Sequence, residues 1–238
     1  MMARAGTGHR HRAGNGTGRA HMIATESPDA RNRRIAYHEA AHTVACLVDG
    51  HSVASVTIVP GSSDDGRPFQ GHHVCDTCPA SLYEPIPQPA HALRRILSGF
   101  LANRIVPGGH WWDAAAVDLD LAMVTAPAVL GLPLSASLSI TTSRIRGAIR
   151  DGLDLYAVPP LDVGAAAVVG AVTRPDPGFA PTPVAPADAT VGAIVRAAID
   201  TATWLLAPDV WARVARLAGA LVEEGTLSRR RIGVVVGE

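Results

Sequence analysis

Five consecutive residues, His38-Glu39-Ala40-Ala41-His42, combine metal-ligand and acid/base side chains at a defined spacing. On an α-helix, positions i and i+4 lie one turn apart on the same face, so two imidazoles spaced this way can reach one metal ion without backbone strain. The acid at i+1 then stands beside the metal's open position and outside its coordination shell. From there it can take a proton from water and pass it to a leaving amine. Zinc suits such a set, because it accepts nitrogen and oxygen ligands tetrahedrally and lowers the pKa of a bound water to about 7. The motif lies between Ile35-Ala36-Tyr37 and Val44-Ala45. Its polar side chains are therefore expected to be buried, and buried polar groups need partners that a metal ion can supply.

Two imidazoles leave the set incomplete, since a catalytic zinc usually has three protein ligands. Thr43-Val44-Ala45-Cys46 follows His42, which excludes a third histidine in an HxxGxxH continuation. Apart from Glu84 in a proline-rich stretch, the remaining glutamates downstream of the motif are Glu223, Glu224 and Glu238 near the end. Asp113, Asp118 and Asp120 stay open as the third ligand. A second cluster, His72-His73-Val74-Cys75-Asp76-Thr77-Cys78, holds a CxxC beside paired histidines, but no second Cys pair exists to complete a structural zinc knuckle. It reads as an ordinary loop near the site. Trp111 and Trp112 read as packing at a core or pocket edge, Cys46 as a small buried hydrophobe, and Arg229-Arg230-Arg231 as a solvated face.

The elements that must position these residues follow from periodicity. Ile35, Ala41, Val44, Ala45 and Val48 recur at helical spacing, and Asp49-Gly50 closes that helix. Ser52 to Pro60 alternates β-branched residues as a strand does, and Phe69 to Val74 can pair with it as a ribbon. Helices are expected over Ala90–Val106, Ala114–Thr125 with a stop at Pro127, Leu138–Leu155, Ala189–Leu206 and Pro208–Glu224. In the last of these, Val210, Val214, Leu217 and Leu221 form an apolar stripe and Gly225 the cap. Residues 157–188 are proline-rich and read as loops around an Ala/Val stretch, and Leu227–Val236 as a short terminal element.

With 238 residues, 47% of them hydrophobic, the chain can bury one sizeable core. Its formal net charge of zero hides an asymmetry, because seven Arg face only Glu26 and Asp29 within residues 1–34. Residues 1–30 have few large apolar side chains and are expected to be a disordered basic arm, followed by a folded domain over 31–238. The balanced charge of the whole argues against nucleic acid as the principal partner. Three Cys form no disulfide framework, no signal-peptide pattern opens the chain, and no uninterrupted apolar run spans a membrane; a cytoplasmic protein with no membrane association is expected.

The stretch RRIAYHEAAHTVACLVDGHSVASVTIVP resembles the start of the peptidase domain of FtsH-type ATP-dependent zinc metalloproteases, where an AYHEAGHA-like helix precedes a VTIIPRG-like strand. LSGFLANRIVPG is similar to the family's LAGRAAEELVFG-like helix, and AAAVDLDLAMVTA to its GASNDLxxAT-like segment. AAIDTATWLLAPDVWARVARLAGALVEEGTL resembles its closing helices, so four segments stand in the family's order between about residues 33 and 232. The resemblance implies a mainly α, multihelical zincin-type peptidase domain with a small β-ribbon. It implies zinc on His38, His42 and Asp118, Glu39 as general base, and a polypeptide substrate lying along the ribbon edge, where His72 or His73 would touch it. No Walker A sequence occurs in the 238 residues, so the expected activity is ATP-independent cleavage of flexible or unfolded polypeptides, with a separate unfoldase as a partner. The family is hexameric through its ATPase ring as well, which leaves a homo-oligomer open. Ala41 replaces the family's Gly, Asn103-Arg104 its paired Glu, and Val117 the Asn before its zinc-binding Asp. The alternative reading is a metal-stabilised, peptidase-like domain that binds polypeptides or a partner protein without cutting them.

Overall fold

Ser27 starts the first helix: its hydroxyl accepts from the Ala30 amide at 3.2 Å, and Pro28 takes the first helical position, where no backbone donor is needed. In this computed structural model, which describes residues 26–62, 66, 68–76, 89–106, 116–155 and 186–237, helix α1 spans Pro28–Val48. It therefore begins seven residues before the apolar periodicity does, and inside the stretch expected to belong to the arm. Ser27, Pro28 and an Arg34–Glu26 pair with two 3.0 Å contacts account for this early start. Residues 1–25, which hold the rest of that expected arm, lie outside the described residues.

Helix α1 ends on Asp49, and Gly50 adopts φ 78°, which frees the His51 amide to reach back to the Cys46 carbonyl at 2.9 Å. The chain then enters β1 (Val53–Thr57), and the short strands β2 (Gly61–Ser62) and β3 (Pro68–Phe69) pair with each other before β4 (His72–Cys75). Helices α2 (Pro89–Ile105), α3 (Ala116–Val129), α4 (Thr142–Leu155), α5 (Pro186–Leu205) and α6 (Pro208–Glu224) follow, with a 3-10 turn at Leu134–Ser137. Strand β5 (Thr226–Ser228) and α7 (Arg229–Val236) end the described chain. Seven helices hold 72% of the described residues, so the fold is mainly helical and the small antiparallel sheet is an accessory to it.

Helix α2 lies at the centre, packed on α1, α3 and α5, and its Leu93, Leu97, Phe100 and Leu101 are fully buried. α6 covers another side of α1 through the stripe of Val210, Val214, Leu217 and Leu221. No single helix among the described residues is long and apolar enough to cross a membrane.

The sheet differs from a simple ribbon. Its order is β4-β1-β5, the third strand coming from beyond α6 after Gly225 turns the chain with φ 73°. A bulge lies between Val53 and Ser55 of β1, so that Val53 and Val56, three residues apart, are both buried. Val56 pairs with His73 on one side and Leu227 on the other, which turns His73 toward the helices.

Helix α3 does not stop at Pro127, as the proline predicts, but runs to Val129. Within the last turn a proline forfeits one amide bond while its fixed φ remains helical. The stop comes where Gly131 adopts φ 64° and the Leu132 amide returns to the Pro127 carbonyl at 2.8 Å. Residues 107–115 and 156–185, including Trp111, Trp112 and Asp113, lie outside the described residues, as does Cys78.

Asp49 clamps α1 to α2. Its side chain is 1% exposed and pairs with Arg94 and, at 3.0 Å, with Arg95 Nη1. Truncating Asp49 would leave two neighbouring guanidiniums without their anion, Arg95 being itself buried. Asp49→Ala is expected to lower the unfolding free energy by about 3 kcal/mol, read as a reduced urea midpoint at unchanged slope.

Candidate metal centre

Three helices converge on one point. His38 and His42 project from successive turns of α1, and Asp118 comes from the first turn of α3, where a carboxylate also complements the helix dipole. The two Nε2 atoms are 3.1 Å apart, and Asp118 Oδ2 lies 3.4 Å from that of His38 and 3.5 Å from that of His42. Ligand atoms held tetrahedrally at about 2.0–2.1 Å from zinc are about 3.3–3.4 Å from one another. The observed triangle has the size of one face of that tetrahedron.

The chemistry of the donors fits a cation as well. Asp118 Oδ2 is buried without a hydrogen-bond partner, and it confronts two imidazole nitrogens whose ring partners are already engaged. His42 Nδ1 stands 2.7 Å from the Arg95 carbonyl, which can only accept, so Nδ1 carries a proton and Nε2 is the nitrogen whose lone pair a cation would take. His38 Nδ1 lies 3.0 Å from the Asn103 side-chain amide, whose Oδ1 is buried without a partner. Turning that amide over lets Oδ1 accept from His38 Nδ1–H and leaves the second Nε2 bare as well.

Helix α2 also makes the space. Gly99 faces the imidazole pair so closely that a Cβ there would lie 2.3 Å from His42 Nε2 and 2.9 Å from His38 Cε1. Gly71, just before β4, sits similarly over Glu39, where a Cβ would meet Oε1 at 2.8 Å. Glu39 is 6% exposed, and its Oε2 lies 3.5 Å from His73 Nδ1. The His73 ring also stacks on His42 at 5.0 Å between centroids.

Of the three aspartates left open by the motif, the structure brings Asp118 to the histidine pair. Asp120 is exposed and accepts from Thr142 Oγ1 at 2.9 Å, while Asp113 lies outside the described residues. The β4 register separates the two neighbouring histidines: His73 faces the helices, and His72 is exposed beside the Phe69 ring at 5.0 Å. Gly99, Asn103 and the Arg95 carbonyl carry no metal-site signal in the sequence. Only Asn103 stood out, as a departure from a family pattern. Cys46 is buried in the core as expected, and Arg229 and Arg231 are exposed but paired with Asp76 and Glu224.

Electrostatics tie the group together. Burial disfavours a charged His42, yet the Asp118 charge, Glu39 and the Arg95 carbonyl outweigh it and push the pKa up to about 9. Burial drives His38 below its ordinary value, despite the opposing pull of Asp118. Burial would raise Asp118 and Glu39, but both carboxyls end below their usual range: Asp118 through His38 and His42, Glu39 through the His73 hydrogen bond and the neighbouring imidazoles. At neutral pH the metal-free cluster therefore holds one proton on His42. Because that pKa is raised on folding, its contribution to stability is complete below about pH 6.5 and fades as pH rises through about 9. A cation must displace this proton. Zinc uptake near pH 7.5 is expected to release about one proton per ion and to tighten about tenfold per pH unit on approach to pH 9. Calorimetry in buffers of different ionisation enthalpy measures both, and uptake without proton release would contradict this charge state.

No protein-family model matches this chain, and no curated protein matches it.

Proposed function

We propose that the chain is a zinc-dependent metalloendopeptidase that hydrolyses peptide bonds in flexible or unfolded polypeptides. The observation that carries this reading is the triangle of His38, His42 and Asp118 ligand atoms, spaced 3.1–3.5 Å, with the buried Glu39 carboxylate on the adjacent residue. His38, His42 and Asp118 would hold the ion through Nε2, Nε2 and Oδ2. Zinc at this position supplies a Lewis acid for the scissile carbonyl and acidifies a water molecule.

The remaining work falls to the protein's own groups. Glu39 is ionised at neutral pH, so a carboxylate oxygen is free to accept a proton from water and then to deliver it to the leaving amine nitrogen. Gly71 leaves room for that carboxylate, because a Cβ there would meet Oε1 at 2.8 Å. Strand β4 is an edge strand, and among the described residues no strand pairs with its outer side. Its unpaired amides and carbonyls can hold an extended polypeptide by main-chain hydrogen bonds. An extended substrate is one already unfolded, which is why flexible chains are the proposed substrates and a separate unfoldase the proposed partner for folded ones.

The zincin-type, FtsH-like character of the domain rests on the four sequence segments, and the site geometry is compatible with it. The test is hydrolysis of an unstructured protein such as casein by the zinc-loaded chain, compared with Glu39→Gln. Full zinc occupancy without hydrolysis of any unfolded substrate would replace this reading with the non-cleaving, polypeptide-binding one.

A further inference from the structure

His73 is a half-buried histidine that the zinc and general-base roles leave unassigned. Its placement has a structural cause. His73 pairs with the buried Val56 and stands two residues from Cys75, the partner of the buried Val53, so the imidazole is set over the motif helix while His72 and Val74 are exposed. Nδ1 lies 3.5 Å from Glu39 Oε2, and the ring lies against that of His42. No group on β4 other than His73 makes an ion pair with Glu39 among the described residues. The distance is at the long end for a hydrogen bond, as is common for catalytic contacts before substrate is bound.

We propose that His73 is a positioning residue for the general base: its Nδ1–H holds Glu39 Oε2, fixing the carboxylate beside the metal position. This rests on the peptidase reading and deepens it. A carboxylate on a glutamate side chain has three torsions to lose, and Gly71, which lies close over it, offers no side chain to hold it. With His73 present, one oxygen is anchored and the other is left for the proton. Without it, the carboxylate can swing away from the water it must deprotonate. The proximity of His73 to His42 does not make it a ligand, because the ligand atoms that lie within 4.8 Å of one another are those of His38, His42 and Asp118.

The two imidazole nitrogens can be told apart by amide substitution. An Asn side-chain nitrogen occupies about the place of Nδ1, and a Gln nitrogen about that of Nε2. The experiment compares the full zinc-loaded chain with His73→Ala, His73→Asn and His73→Gln, measuring zinc content, kcat and KM on an unstructured fluorogenic peptide. His73→Ala is expected to lose about 10- to 100-fold in kcat, with zinc content and KM unchanged. His73→Asn should recover most of that loss and His73→Gln little of it. In the Glu39→Gln background, His73→Ala should cost nothing further, because the two act as one unit. Independently of activity, 15N spectra of the metal-free chain should show His73 protonated at Nδ1, with a shift that moves in Glu39→Gln. Wild-type kcat in His73→Ala, zinc loss in that variant, or equal rescue by Asn and Gln would overturn the role of His73 alone. A wild-type chain that binds zinc and cuts no peptide would overturn the peptidase reading, and this role with it.

Discussion

Gly99→Ala is expected to abolish zinc binding while the helical fold persists. An added Cβ would stand 2.3 Å from His42 Nε2, 2.6 Å from its Cδ2 and 2.9 Å from His38 Cε1, all inside the closest approach that real side chains tolerate. The imidazoles cannot simply retreat. His42 is fixed at 2.7 Å to the Arg95 carbonyl and lies against the His73 ring, and His38 is held by Asn103. A methyl at residue 99 must therefore turn both Nε2 atoms away from Asp118, and the apparent zinc affinity should fall by about 100-fold or more. The substitution is informative because its default sign is opposite. In a helix interior, alanine is favoured over glycine by about 1 kcal/mol, so a Gly99 without a steric role would give a more stable protein with normal zinc uptake. Competition with a chromophoric chelator, with circular dichroism as a control for folding, separates the two results. Wild-type affinity in Gly99→Ala would show that the ion is not held between these imidazoles.

Glu39→Gln should eliminate peptide hydrolysis, lowering kcat by about 10²- to 10⁴-fold, with one zinc per chain retained. The replacement has the same size in a position only 6% exposed, so packing against Ile35, Gly71 and the sheet is undisturbed. What disappears is a group that can accept a proton: the amide has no basic oxygen at neutral pH, whereas the His73 hydrogen bond and the neighbouring imidazoles, outweighing burial, keep the native carboxyl ionised. Zinc retention matters as much as loss of rate, because Glu39 is not among the three ligand atoms. A variant that lost both would show Glu39 to be needed for metal binding, and one that kept its rate would show that another base acts.

The sequence made parts of this site legible and left others hidden. His38, Glu39 and His42 were readable because one helical turn fixes their relation, and Gly50 and Gly225 mark helix ends by the same local logic, whereas the start at Ser27 fell inside the stretch read as disordered. The third ligand was narrower than chance but not unique on the residues alone. Asp118 and Asp120 are two positions apart on α3 and so face different directions, yet nothing local tells which direction meets α1. Resemblance selected Asp118, and the packing of α2 between α1 and α3 is what puts that carboxylate beside the histidines. Pro127 misled for the opposite reason, since its helix-breaking effect depends on position and the last turn of α3 accommodates it.

What the sequence by itself determined is thus a helical histidine pair at metal-ligand spacing with an adjacent carboxylate, an apolar helical framework around it, and a strand after it. These follow from periodicities of two and 3.6 residues, which need no information from distant segments. What only the tertiary structure decided are the contacts made across long stretches of chain. His42 meets the Arg95 carbonyl across 53 residues, His38 meets Asn103 across 65, and β1 recruits β5 from beyond α6. The same holds for the choice between His72 and His73, which the pairing of β4 with β1 settles by setting His73 opposite the buried Val56. Such contacts depend on how helices dock and how strands register. A one-residue slip reverses a side chain's face, and a single Cβ at Gly99 would close the space that the ligands need.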